Sequence, residues 1–214
     1  MTRKKLKALL IDLDNTLYPP QAGLLAEADR RITEFIHRRL GLPWDEADKL
    51  RVDLWLRYGT TARGLAEEYG IPESDLAQEA LAKVEAEAYV QPDRSLIEAL
   101  ERIPVPLYVF TNAPREYAMR ALRALGVAHL FVDLFDIEFL DWDGKPSERA
   151  FRKVLRVLDL PAQLVGLADD NPDNLAQARR LGMVAIAVHV NAAADVVVPD
   201  IRQIARALRD HGLL

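Results

Sequence analysis

The sequence predicts an α/β fold: a parallel sheet core flanked by helices, with an all-helical insertion after the first strand. Three observations carry this. From Val105 onward, short apolar runs alternate with amphipathic helical segments. A run of the same apolar kind, Leu6–Leu13, stands alone near the start. Between them, the stretch from about Tyr18 to Pro92 contains no convincing strand.

Taken in order, Leu6–Leu13 is the first predicted strand. Val105–Phe110, Val132–Ile137, Leu164–Ala168 and Val184–Val188 follow as strands, near-continuously apolar as burial on both faces requires. Pro114–Leu125, Ser147–Leu158 and Pro172–Leu181 alternate with them as helices. Gly126 and Gly182 stand where a helix stop in the left-handed conformation is expected. In the insertion, Leu24, Ala28, Ile32, Phe35, Ile36 and Leu40 mark one helical face, and Leu76, Ala80, Val84 and Ala88 another. Two more helical segments, around Trp44–Tyr58 and Arg63–Tyr69, are separated by Gly59-Thr60-Thr61. Tyr18-Pro19-Pro20 leads into the insertion and Gln91-Pro92-Asp93 leads out. The predicted organisation is therefore a core of residues 1–17 and 93–214 and a helical cap domain of residues 18–92.

Composition bounds the function. The chain has 214 residues, is half hydrophobic and 29% charged, and carries a formal net charge of −5. A chain this long buries roughly 70% of its unfolded surface, enough for a core without metal or disulfide staples. With no cysteine, disulfide frameworks, thiolate zinc sites and cysteine nucleophiles are excluded, and a reducing, cytoplasmic setting is expected. The basic start, Met1 to Lys7, reads as a solvated terminus, because the apolar run behind it stops at Asp12, too short for a signal peptide. No stretch approaches the ~20 apolar residues of a membrane span. The acidic balance argues against a nucleic acid polymer as partner.

In open α/β sheets, ligands bind beyond the carboxyl ends of the strands. The first predicted strand ends in Asp12-Leu13-Asp14-Asn15-Thr16, the second in Thr111-Asn112, and the fourth runs into Asp169-Asp170-Asn171-Pro172-Asp173-Asn174; Lys145-Pro146 follows the third. Each alone has an ordinary structural explanation, such as a turn, a helix cap or a solvated surface residue. Asn171-Pro172, for instance, is a good helix N-cap with proline at the first helical position. All four on strand ends in order point to a site. Clustered carboxylates need a cation, and an all-oxygen set suits Mg²⁺ together with a phosphate. A carboxylate beside the metal can be a nucleophile, and a second can serve as acid and base. Lysine, hydroxyl and amide donors suit phosphoryl oxygens. The ensemble reads as phosphoryl transfer to water.

Asp12-Leu-Asp-Asn-Thr-Leu-Tyr18, Phe110-Thr-Asn-Ala113, Lys145-Pro146 and Asp169-Asp170 together resemble the four ordered motifs of the haloacid dehalogenase-like hydrolase superfamily, over essentially the whole chain. The resemblance implies a Rossmann-like parallel sheet core with the helical cap after the first strand. It implies Asp12 as nucleophile and Asp14 as general acid/base, with Thr111, Asn112 and Lys145 on the phosphate. It also implies Mg²⁺ held by Asp12, the Asp14 main-chain carbonyl and Asp170, with Asp169 as a further ligand or a support, and Thr16 supporting the first loop. The sequence departs from the expected pattern at Asn171, where a serine is expected. Asp-Leu-Asp-Asn-Thr-Leu-Tyr-Pro-Pro with Gly23, the segment Tyr58-Gly-Thr-Thr-x-x-Gly-Leu65, and Phe-Thr-Asn-Ala resemble most the pyrimidine 5′-nucleotidase-like subgroup. That implies a small-molecule phosphomonoester such as UMP or CMP as substrate; the alternatives are a small phosphate such as phosphoglycolate, a sugar phosphate, or a non-catalytic phosphometabolite-binding module.

Within the cap, Tyr58, Thr60, Thr61 and Arg63 are candidate substrate contacts, with Trp55 as a stacking surface, while Gly59 and Gly64 read as helix ends. The four histidines have no ligand spacing and receive no role, and the sequence is silent on oligomeric state. Residues 19–92 carry 9 Lys+Arg and 14 Asp+Glu, so the whole net charge lies there. Residues 64–92 alone amount to −6. A phosphate dianion would be repelled by that half, so Glu67, Glu68, Glu79, Glu85 and Glu87 are expected to face solvent while the Arg51–Arg63 side approaches the substrate.

Overall fold

A computed structural model describes residues 5–214; Met1–Lys4 of the basic start lie outside the described residues. Six strands form one sheet in the order β3-β2-β1-β4-β5-β6, each pairing parallel. They are β1 (Ala8–Ile11), β2 (Leu107–Phe110), β3 (Phe131–Phe135), β4 (Val165–Asp169), β5 (Val184–Val188) and β6 (Val196–Val198). β1 is central, with Ile11 paired to Val109 on one side and Ala168 on the other. Its four residues are all buried, and the two-residue period divides them. Leu9 and Ile11 join the apolar cluster on one face; Ala8 and Leu10 join the cluster with Phe110, Phe135 and Phe151 on the other.

The sequence-predicted strands appear in place, with ends displaced by up to two residues, and two elements differ. β6 has no counterpart among the predicted strands: it is a three-residue edge strand whose middle residue, Val197, is exposed. The period-four face Leu76–Ala88 is not one helix. Helix α4 (Glu73–Glu79) gives way to two single 3-10 turns at Leu81–Lys83 and Ala86–Ala88. The Val84 carbonyl, which a continuing helix would have used, accepts instead from Arg120 Nη1 at 3.1 Å. Leu76, Ala80 and Val84 stay buried, but Ala88 is exposed.

The insertion leaves β1 through Tyr18-Pro19-Pro20 and comprises α1 (Leu24–Leu40), α2 (Trp44–Tyr58), α3 (Thr61–Tyr69) and α4 with its two turns. Gly59 ends α2 at φ 81°, and the Thr60 hydroxyl caps α3 by accepting from Arg63 N–H at 3.2 Å. Helix α3 thus starts at Thr61, two residues before the predicted Arg63. Gly64 is not a helix end either: it lies within α3, where a Cβ would fall 2.7 Å from Leu54 Cβ, so its missing side chain lets α2 and α3 approach.

The remaining helices are α5 (Arg94–Glu101), α6 (Arg115–Ala124), α7 (Glu148–Leu158), α8 (Pro172–Arg180) and α9 (Ile204–Asp210). Asp93 caps α5, its carboxylate accepting from the N–H groups of Ser95 and Leu96. Gly126 and Gly182 follow α6 and α8 at φ 75° and 81°. Among the described residues, no helix is long and apolar enough to cross a membrane.

Candidate active site

The carboxyl edge of the sheet gathers the residues singled out from the sequence. Asp12 follows β1, its N–H donating to the Ala168 carbonyl at 2.9 Å, so β4 holds the chain at the point where β1 ends. Asp169 is the last residue of β4 and fully buried. Lys145 comes from the loop after β3, is 2% exposed, and sits between these two: Nζ donates to Asp12 Oδ1 at 2.8 Å and to Asp169 Oδ2 at 2.7 Å. Asp169 is fixed further by the Asn171 N–H at 2.9 Å and by Asn174 Nδ2 at 2.9 and 3.1 Å. The Thr16 hydroxyl lies 3.4 Å from both Asp12 Oδ2 and Asp170 Oδ1.

Asp12, Asp169 and Asp170 each offer one oxygen, all within 4.8 Å of one another. Burial pushes the Asp12 carboxyl well up, and Asp169 and Asp170 add to this against the pull of Lys145. Burial, then Asp169, raises Asp170 to about 6. Burial would lower Lys145, but the Asp12 and Asp169 carboxylates outweigh it and hold the ammonium charged. Several buried carboxylates share one lysine, so a hard, oxygen-preferring dication fits the donor set.

Asp14 stands apart from that cluster. Its Oδ1 accepts from Tyr117 Oη at 2.8 Å and from the Tyr18 hydroxyl. Both tyrosines are buried. Burial raises the Asp14 carboxyl, opposed first by Tyr18 and then by Tyr117. Sequence reasoning misses this pairing; Tyr18 lies within the first motif, but nothing in the spacing points to Tyr117.

Thr111 is buried and its hydroxyl accepts from the Ala113 N–H at 3.0 Å. Asn112 grips the Lys145 backbone with both ends of its amide, donating to the carbonyl at 2.8 Å and accepting from the N–H at 2.7 Å. Asn171 is the N-cap of α8, accepting from the Asp173 N–H at 2.9 Å, and Pro172 opens that helix.

Between the sheet edge and the insertion lies a cavity of about 1020 Å³. Asp12, Asp14, Thr111, Asn112, Lys145 and Asp170 line its floor, and Ile32, Arg51, Val52, Trp55 and Leu56 line its helical side. Tyr58 and Thr61 also border it, but their hydroxyls have partners, Glu68 Oε1 at 2.7 Å and the Arg51 carbonyl at 3.0 Å. Arg63 is not among the lining residues; it forms an ion pair with Asp143 at 2.7 Å, tying α3 to the loop before Lys145. None of Glu67, Glu68, Glu79, Glu85 and Glu87 lines the cavity. All are exposed except Glu79, which is half-buried.

The chain belongs to the haloacid dehalogenase-like hydrolase family, whose model matches residues 6–182. It is 28% identical over 199 residues to Phosphate metabolism protein 8 of Saccharomyces cerevisiae, a match covering 83% of this chain and only 60% of the yeast protein. It is 25% identical over 209 residues to Validoxylamine A 7′-phosphate phosphatase of Streptomyces hygroscopicus subsp. limoneus, covering 92% of this chain and 95% of that protein. CbbY from Rhodobacter sphaeroides, solved in complex with phosphate, shares the fold with a TM-score of 0.68 at 20% identity, over 93% of this chain and 96% of that one.

Proposed function

We propose that this protein is a Mg²⁺-dependent phosphomonoester hydrolase working through an aspartyl-phosphate at Asp12, with residues 18–92 as its cap domain. The observation that carries the reading is the grouping of Asp12 with Lys145, Asp169 and Asp170, next to a second carboxyl at Asp14 in the same cavity. Asp12 and Asp170 would hold the metal, with the Asp14 main-chain carbonyl implied by family resemblance and Asp169 as a further ligand or a support. When bound, Mg²⁺ neutralises the carboxylates and withdraws charge from the phosphoryl oxygens.

The chain's own residues do the rest. Lys145 keeps the Asp12 carboxylate oriented and supplies fixed positive charge where the phosphoryl group arrives. An Asp12 oxygen attacks phosphorus, and the leaving oxygen takes the bond pair and a proton from Asp14. Asp14, now a carboxylate, takes a proton from water as that water attacks the aspartyl-phosphate; phosphate leaves and Asp12 is regenerated. Removal of a halide needs no acid at position 14, so the carboxyl there favours the phosphatase reading over dehalogenation.

A nucleoside 5′-monophosphate with a pyrimidine base is the substrate we favour. The cavity is far larger than a phosphoryl group, and Ile32, Val52, Trp55 and Leu56 offer an apolar and aromatic wall for a flat leaving group. Phosphoglycolate or a sugar phosphate is the second reading, and neither a nucleic acid polymer nor a membrane is expected as partner. The protein should release phosphate from UMP or CMP with Mg²⁺ and stop with EDTA, and Asp12→Asn should remove turnover while keeping the melting curve. Wild-type rates in Asp12→Asn would refute the nucleophile; a preference for a non-nucleotide across a phosphomonoester panel would refute the substrate.

A further inference from the structure

The two phenols on Asp14 carry a further inference, which rests on the phosphatase reading above. A carboxyl oxygen has two lone pairs. Tyr117 Oη, at 2.8 Å, and the Tyr18 hydroxyl both donate to the same atom, Asp14 Oδ1, and so occupy both. Asp14 borders the cavity, while Tyr117 and Tyr18 are 2% and 3% exposed. They reach it from separate parts of the chain: Tyr18 at the exit from the first motif, Tyr117 from the first turn of α6.

We infer that Tyr18 and Tyr117 are positioning residues that reserve Asp14 Oδ2 as the one oxygen that carries and returns the catalytic proton. With both Oδ1 lone pairs engaged, the acid form has its hydrogen on Oδ2. In the first step the P–O bond breaks, its electron pair goes to the leaving oxygen, and the Oδ2 proton makes that oxygen an alcohol. In the second step Oδ2 takes a proton from the attacking water, and the Asp12–phosphate bond breaks. The phenols keep their own protons throughout. Their donation stabilises the carboxylate between the two steps without covering the oxygen that must act as base.

The test separates positioning from a general structural role through the leaving group. A nitrophenolate leaves without a proton, whereas an alkoxide does not. Tyr117→Phe and Tyr18→Phe are each compared with wild type in single turnover with enzyme in excess and Mg²⁺ present, on p-nitrophenyl phosphate and on UMP. General acid catalysis contributes ~10²–10⁴-fold. Release of uridine should therefore fall by at least about tenfold in either variant and further in the double variant. Release of p-nitrophenolate should change by less than about threefold. Equal loss on both substrates, with melting curves preserved, would overturn the inference, and so would unchanged uridine release. Each variant is isosteric but for one oxygen, and either alone decides between the two roles if the other fails to fold. Wild-type protein that releases neither leaving group would remove the phosphatase reading and this inference with it, a result distinct from both.

Discussion

Asn112 and Lys145 clasp each other twice, the asparagine amide donating to the lysine carbonyl and accepting from the lysine N–H. Thirty-three residues separate them, and the clasp sets the backbone from which the buried ammonium reaches Asp12 and Asp169. Gly144 accommodates it, since a Cβ there would lie 2.3 Å from Asn112 Oδ1. Asn112→Ala should cost about 2–3 kcal/mol, for two lost hydrogen bonds and a stranded backbone group. Gly144→Ala should give a similar loss by a different route. Urea denaturation measures both, and phosphate release should fall with them.

Removing the lysine charge should be costlier. Lys145→Met leaves Asp12 and Asp169 buried without their cation, a change of about 3–5 kcal/mol in metal-free protein. A dication binding only the folded state recovers part of this by mass action. Calorimetry should show Mg²⁺ raising the melting temperature more in Lys145→Met than in wild type. An equal rise in both would place the metal elsewhere.

One acidic group away from the site predicts a pH dependence. Burial acts to raise Asp93, but the hydrogen bonds from Ser95 and Arg202 outweigh it and hold the carboxyl at about 2. The unfolded value is ~3.9, so the folded state is the stronger acid. Its contribution is present above about pH 4 and is lost as pH falls toward 2. Asparagine caps as well as aspartate, so Asp93→Asn removes only the charge facing Arg202 and should destabilise by roughly 0.5–1 kcal/mol at pH 7 and much less at pH 2. Chemical denaturation at the two pH values measures the difference.

Gly64→Ala tests the close approach of α2 and α3. The new methyl would meet Leu54 Cβ at 2.7 Å and Leu54 Cδ2 at 2.9 Å, so overpacking should cost about 1–3 kcal/mol. The intrinsic helix preference of alanine works in the opposite direction by about 1 kcal/mol. A stabilised variant in thermal melts would show that the helices separate freely.

The parts of this molecule legible in the sequence are those where one segment carries its own signal. β5 has its predicted ends because Val184–Val188 is apolar throughout and bounded by Gly182 and His189. The carboxylate cluster is legible because Asp12, Asp169 and Asp170 stand directly at strand ends. What escapes depends on partners distant in the chain. Val196–Val198 is a strand only because β5 lies beside it. Beyond the end of α4, the Val84 carbonyl takes its partner from Arg120, 36 residues on. Arg63 has the charge to meet a phosphate, yet its ion pair is with Asp143, 80 residues on. The clasp of the Asn112 amide on the Lys145 backbone, 33 residues on, has no signal in the motif either.

The insertion contributes walls to the cavity but no member of the carboxylate cluster. Its two attachment points, near Tyr18 and Pro92, fall outside the Lys145–Asp12–Asp169 arrangement. Substitutions within residues 24–83 should change which molecules the cavity admits while leaving the contacts among Lys145, Asp12 and Asp169 in place. A library confined to Ile32, Val52, Trp55 and Leu56 is therefore the shortest route to new selectivity above the same carboxylate cluster.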